Sequence, residues 1–317
     1  MKLLFLNHEI SDACSFYRSG GIAHNLAMQS RTEITVKNYT DSYDLGAYDV
    51  IMLHRPCTQR ELDICMSAAE LYIKIWIDED DNILAVPEHH ILHYLYSGEE
   101  RRNHIIECLK LADVVTVTNS ALKDVYSEYN DNVIVVPNAI NPTREKREAN
   151  KNNIIAWRGG DSHYKDIMSV SDALRTSTLR FRDWRFEYIG SKPVFLPKFT
   201  NVVFTEPMKV PEFMDYLYNL APKIVQVPLV DDAFNRGKSE IAAMEATFVG
   251  AACLVPFWWD IPAIKYKTPA DYASALNSML IGEIDLEAYN ETAWEYVCDN
   301  WLLDDVNKIR VEILKNL

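Results

Sequence analysis

The chain has 317 residues, a formal net charge of -14 and 48% hydrophobic residues, which predicts one large domain or two of ordinary size with a substantial core. The acidic balance argues against a broad nucleic-acid surface, and no apolar run is long enough to span a bilayer. With no secretion signal, the six cysteines at 14, 57, 65, 108, 253 and 298 read as reduced thiols of a cytoplasmic protein.

The N-terminal stretch MKLLFLNHEISDACSF has a short apolar run followed by acids, which marks a first buried strand (2–7) and not a leader. Residues 15–28 read as a loop entering a helix, 49–54 (DVIMLH) as a strand, 58–71 as a helix and 73–77 (IKIWI) as a strand closed by acids. Helix 99–111 and strands 114–118 and 133–136 follow. These strands are continuous apolar runs, the pattern of parallel strands buried on both faces. Their alternation with helices predicts βαβ units. The polar stretch NPTREKREANKNN (141–153) reads as an interdomain linker. After it the pattern restarts: strand 154–157, helix 165–174, strands 186–189 and 202–204, helix 211–220, strand 224–227, helix 238–248 and strand 252–255. The tail, 285–317, is helical with an apolar stripe. The predicted organisation is α/β: two Rossmann-like doubly wound domains (1–145 and 152–284) facing across a cleft, with 285–317 packing back toward the first.

Open parallel sheets take ligands beyond the carboxyl ends of their strands. Three turns there carry glycines or cations: SFYRSGGIAHNL with Arg18, Gly20 and Gly21; AWRGGDSHYKDI with Arg158, Gly159, Gly160, Ser162 and Lys165; and FNRGKSEIAAMEATFVGAACLVP with Asn235, Arg236, Lys238 and Ser239. Glycines let backbone N–H groups approach a phosphate, and the cations neutralise it. Neither GxxxxGK[ST] nor GxGxxG occurs. In the third turn Glu245 follows Lys238 by two helical turns, on the same predicted face. An acid inside an apolar helix needs partners; ribose hydroxyls would serve, as would a salt bridge to a neighbouring strand.

These stretches resemble the retaining family 4 type of glycosyltransferase with two Rossmann domains, the GT-B architecture. AWRGGDSHYKDI is similar to W-x-G-S-x-x-H-x-x-D-L, and FNRGKSEIAAMEATFVGAACLVP to N-x-x-K-S…E-A…G-x-P-V. SFYRSGGIAHNL resembles the first glycine turn. IWIDEDDNILAVPEHH resembles a D-x-D-D…P stretch, and VTVTNSALKDVY with VIVVPNAIN the closing S/T-x-x-L…PNAID. The resemblance implies transfer of a sugar from a UDP- or GDP-sugar donor to a hydroxyl with retention, using no prosthetic group and no obligatory metal. It implies that Glu245 holds the ribose and that Lys238, with Arg158 or Lys165, holds the diphosphate as leaving group, each cation contributing ~3 kcal/mol. Gly20 and Gly21 would approach the phosphates from the N-terminal half.

Two departures stand out. The family's earlier Glu, eight residues before the ribose acid, is Gly237 here, so donor-sugar contacts fall to Phe234, Asn235 or backbone. Ala252 replaces the proline of G-x-P-V. Asp78, Glu79, Asp80 and Asp81, with His89, His90 and His93, read as a metal site, as an acceptor site or as an acidic strand end. The middle reading makes Asp78 the group that orients the acceptor or takes its proton, with Arg55, Asp80 and His93 nearby. The run RTSTLRFRDWRF mixes four arginines with aromatics, which keeps DNA open as an acceptor, a hydroxymethylated base in viral DNA, beside a glycan. The alternative activity is a nucleotide-sugar binding protein, or a 2-epimerase of the same architecture, that transfers nothing.

Overall fold

The computed structural model describes residues 1–196 and 199–317. In chain order the first half runs β1 (Lys2–Asn7), α1 (Ala13–Ser15), a π turn (Phe16–Gly20), α2 (Gly21–Ser30), β2 (Glu33–Asn38), β3 (Val50–His54), α3 (Gln59–Glu70), β4 (Lys74–Glu79), α4 (His93–Tyr96), α5 (Glu99–Leu111), β5 (Val114–Val117), α6 (Ser120–Tyr126) and β6 (Val133–Val135). The second half runs β7 (Ile154–Gly159), α7 (Tyr164–Ser169), α8 (Ser171–Arg180), β8 (Arg185–Gly190), β9 (Val202–Thr205), α9 (Val210–Leu220), β10 (Ile224–Gln226), α10 (Ala233–Arg236), α11 (Ile241–Phe248), β11 (Ala252–Pro256), β12 (Ile264–Tyr266), α12 (Pro269–Leu280), α13 (Leu286–Asn300) and α14 (Leu303–Asn316). No helix among the described residues is long and apolar enough to cross a membrane.

The chain divides into two compact units. The first comprises Met1–Ala139, Asp232–Ser239 and Leu303–Leu317; the second comprises Ile140–Asp231 and Glu240–Leu302. Each is built on a parallel sheet of six strands, in the orders β2-β1-β3-β4-β5-β6 and β12-β11-β10-β7-β8-β9. Alternate residues of a strand feed opposite faces. In β4, Ile75 and Ile77 enter one core layer and Trp76 the other. In β7, Ile155 and Trp157 separate from Ala156 in the same way. These are two doubly wound Rossmann-like units. The strand order reverses between β1 and β3 in the first and between β7 and β10 in the second, and a ligand crevice opens at such a reversal.

Several elements differ from expectation. Residues 141–153 are not a free linker: Asn150 Nδ2 donates to the carbonyls of Pro222 (2.8 Å) and Val249 (2.6 Å), and Arg147 N donates to Phe248 O (3.1 Å). Gly250, at φ +80°, lets this strand of chain lie close, since a Cβ there would meet Glu148 O at 2.2 Å. The tail splits. In α13, Asn290 Nδ2 donates to Thr247 O and Ala251 O of the second unit. In α14, Asp304 Oδ1 accepts from Asn25 of α2 in the first unit. The helix expected over 238–248 begins at Ile241, and the one expected over 165–174 is two, α7 and α8.

Candidate functional site

In the second unit, β7 delivers Arg158 and Gly159 to the reversal point beside β10. The Arg158 NH2 group lies 2.9 Å from Glu245 Oε2. Glu245 is only 2% exposed, in a helix whose other residues from Ala242 to Phe248 are also buried. The guanidinium side chain is 29% exposed, so the pair joins a buried acid to a cation that reaches water. Gly190, at φ +100°, packs its backbone on Gly159, where a Cβ would lie 2.5 Å from Gly159 O. Gly160 is exposed, Ser162 lies in the turn Asp161–His163, and Lys165 is exposed on α7. Asp166 ties this loop to the next: its Oδ2 is 2.9 Å from His163 Nδ1 and its Oδ1 accepts from Val230 N at 2.9 Å. The sequence reading passed over Glu240, at the N-terminus of α11. Burial pushes its carboxyl up to about 7, with Asp260 adding to the rise. A single acid at a helix start carries no sequence signal of such a shift.

In the first unit the ends of β3 and β4 gather the acids. Arg18 grips Asp78 with two bonds, Nε to Oδ2 (2.8 Å) and NH2 to Oδ1 (2.6 Å). Thr116 Oγ1 donates to the same carboxylate at 2.5 Å. Arg18 also donates to Val136 O and Asn138 Oδ1. Arg18 is 1% exposed and Asp78 2%. Burial alone would raise the Asp78 pKa, but the guanidinium prevails and holds it below the usual range. Arg18, expected at a phosphate, and Asp78, expected at an acceptor, are thus bonded to each other, with Val136, Asn138 and Thr116 completing their contacts. Gly21 is likewise a packing residue, because a Cβ would meet Phe16 O of the π turn at 2.5 Å. Gly20 is exposed, and a Cβ there would meet only Ser15 O, at an ordinary contact distance of 3.8 Å.

Asp80 and Asp81 are also paired. Asp80 accepts from His54 Nε2 (2.9 Å) and from Arg55 Nε; Asp81 accepts from Arg55 NH2 (2.7 Å) and from Lys238 Nζ (3.2 Å). Arg55 sits in the left-handed region at φ +52°, a strained placement for a non-glycine residue that its surroundings must enforce. His93 does not join these acids, since its Nδ1 lies on Val86 O at 2.9 Å.

Lys238 belongs to a strap, Asp232–Ser239, that counts with the first unit. Asp232 caps α10 by accepting from Asn235 N (2.7 Å), Asn119 Nδ2 donates to Gly237 O (3.0 Å), and Asn138 Nδ2 donates to Ser239 Oγ (2.7 Å). Phe234 lies under the Lys238 ammonium and against the His90 ring. Asn235 is buried and Arg236 exposed. Gly237 has a steric reason to lack a side chain, because a Cβ would meet Leu122 Cδ2 at 2.7 Å and Asn82 N at 3.2 Å. Side-chain capture of the carbonyls at 237 and 238 keeps these residues out of the helix. The inference that Lys238 and Glu245 share one helical face therefore fails.

No family profile matches the chain, and no curated protein matches it in sequence. Solved structures do. HepE of Anabaena, in complexes with UDP and with UDP-glucose, is 15% and 14% identical at a TM-score of 0.67, with 100% of both chains covered. A UDP-forming α,α-trehalose-phosphate synthase from Burkholderia xenovorans is 12% identical at a TM-score of 0.66, covering 99% of this chain and 98% of the other. The UDP-GlcNAc 2-epimerase from Neisseria meningitidis, bound to UDP-GlcNAc, is 12% identical at 0.53, with 100% of both covered. At such identities the likeness is one of fold, and the fold is GT-B: two Rossmann-like units in one chain.

Proposed function

We propose that the protein is a glycosyltransferase that moves a sugar from a UDP-sugar to a hydroxyl acceptor with retention of configuration. The observation that carries the reading is the Arg158–Glu245 pair at the β7/β10 reversal of the second unit. Glu245 exchanges this cation for the ribose hydroxyls, and Arg158 turns to the diphosphate. Within the same unit Lys165 adds positive charge, and Gly159, Gly160 and Ser162 offer backbone or side-chain donors. In the reaction the bond from the anomeric carbon to the phosphate oxygen breaks and its electrons leave with UDP. The acceptor oxygen bonds the same carbon and passes its proton to the departing diphosphate oxygen. Cations fixed at the departing diphosphate stabilise the charge that develops there, which requires no metal.

A glycan suits the acceptor better than DNA. Of the four arginines in 175–186, three are engaged within the unit: Arg185 pairs with Glu187, Arg180 donates to Asn277 and Arg182 lies over Phe199, which leaves little of the run for a nucleic-acid strand. Gly237, standing where the family has an acid, supports the second reading, a 2-epimerase. Thermal unfolding with UDP, UDP-glucose, UDP-GlcNAc and GDP-mannose tests both. A bound ligand at 100 times its Kd adds about 2.7 kcal/mol, and Glu245→Gln should weaken UDP binding by about 1.5–3 kcal/mol, the worth of hydrogen bonds to a charged group. UDP release over time supports transfer, while an epimerised sugar with UDP still attached, seen by NMR, supports the alternative. No response to any nucleotide overturns both.

A further inference from the structure

One grouping of ligand-type side chains takes no part in the site above. His8 follows β1, Cys57 follows β3, and Glu61 lies in the first turn of α3. One ligand atom from each lies within 4.8 Å of the others. They are distant in sequence, but parallel pairing of β1 with β3 brings the ends of the two strands side by side.

The local bonding prepares each ligand. His8 Nε2 is 2.9 Å from Arg55 O. A carbonyl only accepts, so this nitrogen carries the proton, and Nδ1 presents its lone pair. Metal-bound histidines are held in this way, with one ring N–H given to a carbonyl. Nδ1 faces Glu61 Oε1 at 4.0 Å, too far for a hydrogen bond. Two ligands on one zinc ion lie about 3.5 Å apart, so a small rotation of the exposed imidazole closes the gap. The other Glu61 oxygen, Oε2, is fixed by Cys57 N (2.8 Å) and Thr58 N (2.6 Å). The Cys57 Sγ lies beside the His8 ring, 3.9 Å from its Nε2. Cys57 and Glu61 are buried, while the His8 side chain is 39% exposed and leaves one side open to solvent.

We propose that His8, Cys57 and Glu61 bind one divalent cation of the zinc type, with water in the fourth position. A nitrogen, sulfur and oxygen set suits zinc or cobalt; magnesium and calcium take oxygen. The metal replaces the thiol proton, so each ion bound releases one proton. The ion would fasten the end of β1 to the β3–α3 turn, next to the strained Arg55.

The test uses full-length protein stripped of metal and titrated with Co2+ without oxygen, then with Zn2+. Expected are one equivalent bound, a near-ultraviolet thiolate-to-cobalt band with intense visible bands, loss of both on adding equimolar Zn2+, and a raised Tm. Cys57→Ser should abolish the near-ultraviolet band. His8→Ala, at an exposed position that leaves the far-ultraviolet circular dichroism unchanged, should weaken binding by about tenfold or more. A native protein without the band, a band that survives in Cys57→Ser, or equal binding by His8→Ala overturns the proposal. The response to UDP, measured on the same variants, reports the donor site separately.

Discussion

Asp78 and Glu79 are neighbours on β4 with opposite electrostatic fates. A strand sends successive side chains to opposite faces. Asp78 meets Arg18 and stays ionised, whereas both oxygens of Glu79 are buried without a hydrogen-bond partner among the described residues. Burial, opposed by Arg55 and reinforced by Asp80, Asp78 and Asp81, holds the Glu79 carboxyl well above its usual range. A raised folded-state pKa contributes stability that is complete below the unfolded value, about 4.3, and is lost as pH rises through the folded value. Glu79→Gln keeps the shape and cannot ionise. Urea unfolding from pH 5 to 9 should show a flatter profile for the variant, with a gain of about 1–2 kcal/mol at the alkaline end; matching profiles would refute the protonated acid. Asp78 has the reverse sign. Its depressed pKa gives stability that is present above the unfolded value, about 3.9, and is lost as pH falls through the folded value. Asp78→Asn strands a buried guanidinium and should cost about 3–5 kcal/mol at pH 7, read from the same unfolding curves.

At the scale of elements, the strap Asp232–Ser239 is where local sequence and tertiary structure part. Gly237 has an ordinary backbone, φ -75°, so its requirement is space alone. Gly237→Ala should therefore destabilise by about 1–3 kcal/mol, as overpacking does, with faster hydrogen exchange across 232–239. Gly20→Ala, where the nearest atom to a new Cβ is Ser15 O at 3.8 Å, should be neutral or stabilising by up to ~1 kcal/mol. Equal effects would remove the steric account. The same contrast explains what the sequence made legible. The runs of β1, β3, β4, β5, β7 and β11 were readable because parallel strands buried on both faces need unbroken apolar residues. β2 was missed because EITVKN is half-buried and polar, and β12 because the exposed Lys265 interrupts the apolar run of IKY. The break between α10 and α11 was invisible because Asn119 and Asn138 impose it from far along the chain. Within the candidate site, residue types were readable and partnerships were not. Nothing local pairs Arg18 with Asp78 or Arg158 with Glu245, since strand order decides which ends meet.

For the whole molecule, the chain passes between the two units four times, at 139/140, 231/232, 239/240 and 302/303. The first unit is therefore not a continuous segment. Its core layer containing Leu3, Phe5 and Trp76 also contains Leu303, Val306, Ile313 and Leu314 of α14, contributed after the chain has completed the second unit. Its acid Asp81 is neutralised in part by Lys238 of the strap. A fragment of residues 1–139 would hold all six strands of the first sheet yet lack α14 and the strap. It would expose the faces of Ile22 and Leu26. Each of the four α14 side chains contributes about 1.5–3 kcal/mol when buried, together about 6–12 kcal/mol, which is comparable with the whole margin of an ordinary domain. The fragment should bind a hydrophobic dye and unfold without a cooperative transition, while the full chain gives a sharp one. Adding a peptide of residues 303–317 in excess should restore cooperativity in part, because a segment that binds only the folded form stabilises it by mass action. A fragment that unfolds cooperatively at the midpoint of the full chain would show that α14 is dispensable, and that the first unit folds from its continuous stretch alone.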